Sequence, residues 1–420
     1  GLRYDISGDF NRQTGERSAV VSAVTVTRPF DDYNAATRIS LSQPLLRDFW
    51  TDAGRTAIQV AKKDLQMSEL DFEDQVQQLI LQVLLSYYEL IYAREEVLVQ
   101  EKALELALAT VAQNREKVRV GVMAPLDEKQ AEAQAAAAQA SLLSARRQVT
   151  FQENVIKNLI SDRYESWYGS GLQPTDKLLA IAQTYDLVDS WTQALTKRPD
   201  FRRIRADLER QGLYVKLYFN QLFPSLDLVG SYGLSGVSES SYRATAVNQI
   251  DPGPPPRYSA TWTNTFKSSL GNAWQQIVDV NNPRHSFGAV FSLPLSRQAE
   301  RNRYKDAKTG LKQKELEVRQ AHQNILVQVD DAISQAKINF ERTSATREAR
   351  VFAEAALEAE EKKLEAGKST TFEVLRLQRD LTTARSAEVR ALADFNKSMA
   401  QLHFFEGTLL ERYKISLDFK

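Results

Sequence analysis

Two stretches of nearly seventy residues carry no proline and a single glycine each, and no other feature of the chain narrows its possible folds as far. Thr51–Arg119 is interrupted only by Gly54, and Glu300–Ala366 only by Gly310. As continuous helices each would run ~100 Å at about 1.5 Å per residue, beyond the ordinary globular range. A helix that long needs neighbours along its whole length. Val76, Ile80, Val83, Tyr87 and Leu90 begin an alternating four-three seam that continues to Val118, with Arg94, Glu101 and Arg115 interrupting it. Leu84, Ile91 and Leu98 form a second stripe on another face. Two seams mean two neighbours, which suits a helix within a sheet or cylinder of helices better than a dimeric zipper.

Each long segment ends in a glycine turn followed by a second helical segment. The turns are Val120-Gly121-Val122-Met123-Ala124-Pro125 and Ala366-Gly367-Lys368-Ser369-Thr370-Thr371. Glycine suits the left-handed position that closes a helix. Pro125 suits the first turn of the next helix, and Asp127 and Glu373 then sit near a positive helix end. The alanines between Ala131 and Ala140 either let helix axes approach closely or reflect helix propensity alone.

Four short segments alternate with period two and read as strands with one apolar and one polar face, at about 2–11, 36–45, 224–235 and 285–295. The connections at roughly 13–34 and 236–284 are polar, the second carrying Pro252, Pro254, Pro255 and Pro256, and are expected to be long loops. Trp262, Phe266 and Trp274 within the second are either interfacial anchors or loop-packing residues.

The plan is an internal repeat. Gln82-Val83 and Gln328-Val329, like Gly121 and Gly367, are displaced by 246 residues. The expected organisation is a first repeat over 1–160 (long helix 51–119, tip turn 120–125, return helix to 160) and a linker region over 161–200. A second repeat covers 201–410, with a lead-in helix, a long helix over 300–365, a tip turn at 366–371 and a return helix to 406. A tail over 411–420 follows. The first repeat lacks a lead-in helix and Leu2 starts directly inside a strand pattern, so the chain is expected to begin after an export signal and that helix.

Composition removes several function classes. The chain of 420 residues has 54 basic and 54 acidic side chains, which argues against a basic nucleic-acid footprint. It has no cysteine and three separated histidines, so no thiolate site, Cys nucleophile or His-rich metal site is expected. No Ser/His/Asp order or phosphate loop is present either; no catalytic, cofactor or metal residues are expected, and the chain is read as a non-enzyme. No apolar run is long enough for a transmembrane helix, while a membrane barrel, whose strands give a weak signal, stays open.

Four strands cannot close a membrane barrel, and open edges in lipid leave unpaired backbone groups. If these strands face lipid, several chains share one barrel, and three chains supply twelve strands. The charge distribution fits: residues 223–296 hold eight charged side chains in 74, against 26% for the whole chain.

Several strings, in their order within this repeat, resemble the TolC family of outer-membrane channel proteins. They are Ser40-Leu41-Ser42-Gln43-Pro44-Leu45, Ala124-Pro125-Leu126-Asp127 with Gln130-Ala131-Glu132-Ala133, Lys197-Arg198-Pro199-Asp200, and Phe223-Pro224-Ser225-Leu226-Asp227-Leu228. The resemblance covers nearly the whole chain. It implies a mixed α and transmembrane-β fold: a homotrimer with a twelve-stranded barrel in the outer membrane of a Gram-negative bacterium, and a long helical barrel in the periplasm, wrapped near 162–200 by an equatorial belt. It further implies a passive exit duct of a tripartite efflux pump, or of type I protein secretion, with outer-membrane lipid, a periplasmic adaptor and an inner-membrane transporter as partners.

The resemblance also assigns roles at the two glycine turns. Gly121, Val122, Ala124, Pro125, Gly367, Lys368 and Thr370 would form the periplasmic tip that docks the adaptor. Asp127 stands at a tip aspartate of the family, but Leu364 and Ser369 replace its usual aromatic and basic partners, so that lock is absent or differently built. Glu373 keeps one acidic position of the narrowest ring, and Arg376 replaces the other with the opposite charge. A gate closed by Glu–Arg pairs is the expectation, against a merely solvated Arg376. Two competing readings are a soluble coiled-coil protein with a β cap and the periplasmic adaptor itself. Two helical hairpins at fixed displacement argue against the adaptor.

Overall fold

The computed structural model describes residues 1–417, which fall into two compact units, each assembled from two separate stretches of chain. The first comprises Gly1–Lys62 and Arg210–Lys312, and the second Lys63–Glu209 and the residues from Gln313 on. In chain order the elements are β1 (Arg3–Val21), β2 (Val24–Pro44), α1 (Ala53–Arg119), α2 (Pro125–Ile160), a 3-10 turn (Tyr164–Trp167), α3 (Leu187–Lys197) and α4 (Pro199–Asn220). There follow β3 (Ser225–Ser238), β4 (Ser241–Asp251), β5 (Arg257–Phe266), α5 (Leu270–Val278), β6 (Pro283–Ser292), α6 (Gln298–Glu365), α7 (Thr371–Phe405) and α8 (Leu409–Arg412). The last three residues of the expected 411–420 tail lie outside the described residues.

In the first unit, β1, β2, β3 and β6 form one antiparallel sheet in the order β1-β2-β3-β6. Registers align Tyr4 with Leu41, Leu41 with Gly230 and Gly230 with Phe287; one step along, Ile6, Ile39, Tyr232 and His285 align. Side chains alternate across a strand, so one face carries Tyr4, Ile6, Phe10, Ile39, Leu41 and Phe287. The opposite face carries Asp5, Ser7, Arg38, Ser40, Ser231 and Ser286. The apolar face is open within one chain: Ile6 is 71% exposed and Phe287 82%. Strands β1 and β6 are the two edges.

The two expected long loops are not loops. β1 and β2 run on past 11 and 36, through the whole of 13–34, to a two-residue turn at Ser22-Ala23. Both turn residues have positive φ, 50° and 69°, the hairpin geometry that matches strand twist. Over Asn11–Ser18 both faces of β1 are polar, so period two does not show there; cross-strand pairs hold this part instead. Arg12 Nε bonds Asp31 Oδ1 at 2.8 Å, Arg17 Nη2 bonds Asp32 Oδ2 at 2.7 Å, and Arg17 stacks 3.9 Å from the Phe30 ring centroid. The 236–284 connection holds the β4–β5 hairpin and α5. Ser269 caps α5 by accepting from Asn272 N, and Ala273 and Ile277, one turn apart, bury it against Ala35, Tyr33 and Leu234 of the sheet.

The second unit is helical. Ala131, Ala135 and Ala138 of α2 pack on Ala107, Val111 and Leu104 of α1, so the alanine run serves close helix approach. Phe201 of α4, Val329 and Ile333 of α6 and Leu402 of α7 form the largest core, with Ala194 and Trp191 of α3 against it. Between 161 and 200 the chain passes through the 3-10 turn, an irregular stretch and α3. The irregular stretch is tied down by Tyr87 Oη on Asp176 Oδ2 (2.9 Å) and by Asn396 Nδ2 on the Leu179 carbonyl (3.2 Å). Among the described residues no helix is long and apolar enough to cross a membrane.

Candidate functional site: the paired glycine turns

Both helix ends close in the same way. Gly121 N donates to the Val118 carbonyl (3.0 Å) and Val122 N to the Lys117 carbonyl (2.8 Å). Gly367 N donates to Leu364 (3.0 Å) and Lys368 N to Lys363 (2.8 Å). These bond pairs satisfy the last carbonyls of each helix and require a left-handed residue at the glycine, with φ of 78° at Gly121 and 71° at Gly367. Nothing lies within 4 Å of where a Cβ would sit at either, so backbone conformation alone selects glycine. After the first turn, Pro125 opens α2 at its first residue, with Asp127 and Glu128 in the first helical turn.

The two turns meet at Thr371 and Met123. Thr371 is buried, and its hydroxyl approaches Met123 Sδ at 3.9 Å. Ser369 Oγ donates to Glu360 Oε1 at 2.5 Å, fastening the second turn to its own helix. Behind the turns, Gln378 Nε2 donates to Thr110 Oγ1 at 3.1 Å, joining α7 to α1. A charged ladder joins α6 to α7, with Arg350 bonded to Glu388 (2.5 Å) and Arg385 to Glu354 (2.7 Å). Apart from Ser369 and Glu360, nine residues apart, these partners are 31 to 268 residues apart in sequence, and no local pattern announces them.

Among the sequence-derived gate positions, Leu364 packs with Leu357, Val374 and Leu381. The Asp127 carbonyl accepts from Asn114 Nδ2 (3.3 Å), but among the described residues no hydrogen bond or ion pair joins Asp127 to Ser369 or to Arg376. Arg376 reaches Glu373 one turn back on its own helix, with Nη2 2.6 Å and Nε 2.9 Å from Oε2. That bond raises the Arg376 pKa above its ordinary value, with the charge of Glu373 adding to it. Gly121, Val122, Ala124, Pro125, Gly367, Lys368 and Thr370 all lie exposed around the two turns. Among the described residues no cluster of His, Cys, Asp or Glu is arranged to hold a metal ion.

The chain matches the outer membrane efflux protein family over residues 3–161 and 191–408. It is 22% identical over 371 residues to outer membrane protein TolC of Escherichia coli K12, covering 86% of this chain and 68% of that one. Its fold is that of the outer membrane protein VceC of Vibrio cholerae, with a TM-score of 0.71 at 16% identity over 97% of this chain and 87% of VceC. The CmeC outer membrane channel of Campylobacter jejuni gives a TM-score of 0.68 at 16% identity, over 97% of this chain and 78% of CmeC. By the extent of the family match, this chain belongs to the outer membrane efflux protein family.

Proposed function

We propose that this outer-membrane efflux duct is assembled from three chains that share one twelve-stranded barrel, β6 of each chain pairing with β1 of the next. The observation that carries the reading is the sheet itself: one apolar face, one polar face and two edges, β1 and β6, whose outer sides pair with no strand among the described residues. In lipid those edges need pairing, because an unsatisfied backbone group there costs several kcal/mol. Twelve strands is an even and permitted number for such a barrel. The apolar face then meets the outer membrane and the polar face, with Asp5, Arg38 and Ser231, lines the passage.

In this reading the chain is an internal duplication over 1–160 and 201–410, with 161–200 as an equatorial belt, and its helices line the periplasmic passage. The tip is formed by the two glycine turns. Gly121, Val122, Ala124, Pro125, Gly367, Lys368 and Thr370 dock a periplasmic adaptor linked to an inner-membrane transporter. Asp127, Leu364, Ser369, Glu373 and Arg376 border the constriction, which opens when adaptor contacts favour the spread arrangement. The duct is passive and performs no chemistry.

The mass of the detergent-extracted protein, measured by light scattering with the detergent subtracted, tests the assembly. A mass of three chains that conducts ions in planar bilayers is expected; a monodisperse single chain in the absence of detergent would overturn it.

A further inference from the structure

The apolar face of the sheet ends abruptly. Along β1 its side chains run Tyr4, Ile6, Gly8, Phe10 and then Arg12, Thr14 and Glu16. From Leu2 to Phe10 the strand advances ~26 Å, which at a tilt of about 40° is a band ~20 Å tall, against about 25 Å for the outward apolar band of outer-membrane barrels. Helix α5 lies on this same face at that limit. Trp274 meets Phe10 with ring centroids 5.7 Å apart, and Ala273 and Ile277 cover Ala35 of β2 and Leu234 of β3.

The rotation of α5 about its axis is set by two contacts. Gly236 lies directly beneath it: a Cβ there would stand 1.8 Å from the Ala273 carbonyl oxygen, so the helix sits on bare backbone. Gln276 accepts from Val237 N (3.2 Å) and donates to Val237 O (2.7 Å), and Val237 lies further from the β3 start than Gly236 does. At about 100° per residue, Trp274 is ~160° round the helix from Gln276. Gln276 holds the side away from Trp274; Trp274 meets Phe10, the last apolar residue of this face on β1, and Leu270 and Val278 stand one turn before and after it. All three are exposed, Val278 by 57%. The remaining arc carries Asn272, Gln275 and Asp279, also exposed.

From this placement we infer that α5 is an interfacial membrane helix: its Leu270–Trp274–Val278 stripe enters the headgroup–acyl border of the outer leaflet and sets the depth of the barrel. The inference rests on the proposed membrane barrel. An amphipathic helix with Trp and Leu on one side and polar groups on the other is the form that lies in that border, and Trp is favoured there. Here the sheet supplies the anchor and the lipid covers the stripe the sheet leaves bare, continuous with the band below it.

The chain has no cysteine, so single-cysteine variants accept one fluorescent label each. Leu270→Cys, Val278→Cys and Gln275→Cys, with Ile6→Cys as the barrel control, are labelled and reconstituted in phosphatidylcholine vesicles brominated either near the headgroup or near the acyl terminus. Labels at 270 and 278 are expected to lose emission to lipid brominated near the headgroup, the label at 6 to brominated acyl chains, and the label at 275 to aqueous iodide. If 6 is quenched by lipid while 270 and 278 are quenched by iodide alone, or by neither, α5 faces water or protein and the inference falls. If 6 is not quenched by lipid, the barrel reading itself fails. Gly236→Ala, which displaces α5, is expected to remove the headgroup-level quenching at 278; unchanged quenching in that variant would overturn the seating of α5 described above.

Discussion

Arg376 folds back onto Glu373 of the same helix, its Nη2 2.6 Å from Glu373 Oε2, so the charge of the arginine is neutralised within one chain. Cross-chain pairing is therefore not needed to accommodate the arginine. In the proposed trimer, three such pairs border the constriction, each with Arg376 exposed. A neutral pair and a bare carboxylate act differently on a passing ion.

Arg376→Ala leaves three unpaired carboxylates and is expected to shift the reversal potential in a salt gradient toward cation preference. Glu373→Ala leaves three guanidinium groups and is expected to shift it the other way. Both variants should melt with the parent, because the pair is exposed and local to one helix turn. Reversal potentials identical to the parent in both variants would remove these residues from the constriction.

Gly121 and Gly367 hold φ of 78° and 71° with open space where a side chain would stand. Alanine at either position is expected to cost about 1–2 kcal/mol from backbone conformation alone, and asparagine less. Thermal melts of Gly121→Ala, Gly121→Asn and the corresponding Gly367 pair provide the check. A cost equal for alanine and asparagine would mean that conformation is not what selects glycine.

The Gln378–Thr110 bond is buried, with the two residues 6% and 9% exposed. Thr110 Oγ1 donates its own hydrogen bond to the Leu106 carbonyl at 3.0 Å. Thr110→Val leaves the Gln378 amide without that acceptor and is expected to cost about 1–3 kcal/mol. Adding Gln378→Leu should recover part of this, with a coupling of at least ~0.5 kcal/mol in a double-mutant cycle. Strictly additive losses would show that the two side chains are not energetically joined.

How much of this was legible in the chain differs by element for physical reasons. Gly121 and Gly367 announced their turns because a left-handed helix end admits few other residues. Helices α1 and α6 announced themselves by the absence of proline over distances that only helices fill. β1 and β2 were readable to Phe10 and not beyond, since Asn11–Ser18 is polar on both faces and the Ser22-Ala23 turn lacks the Asn-Gly or Asp-Gly pair that usually marks a positive-φ hairpin. Trp262 and Trp274 looked alike in sequence, yet Trp262 Nε1 bonds the Thr27 carbonyl at 2.7 Å, packing the β4–β5 hairpin on β2, while Trp274 sits on Phe10 at the end of the apolar face. At the site, Thr371–Met123 and Gln378–Thr110 join residues roughly 250 positions apart, and only the folded chain brings them together.

Glu354 offers a pH test of the join between α6 and α7. The hydrogen bond from Arg385 holds its carboxyl below the ordinary value of 4.5; burial opposes this, and the charge of Arg350 assists. A depressed folded-state value means that the stabilisation is present above the unfolded pKa and lost as pH falls through the folded one. Melting temperature is therefore expected to fall on the acid side of 4.5 more steeply in the parent than in Glu354→Gln, whose amide does not titrate. At neutral pH the variant should melt below the parent, since an amide accepts less strongly from two guanidinium groups. The side chain is about a third exposed, so solvent screening keeps both differences small. Parallel acid limbs for the two proteins would show that the Arg385–Glu354–Arg350 contact contributes nothing to the folded state.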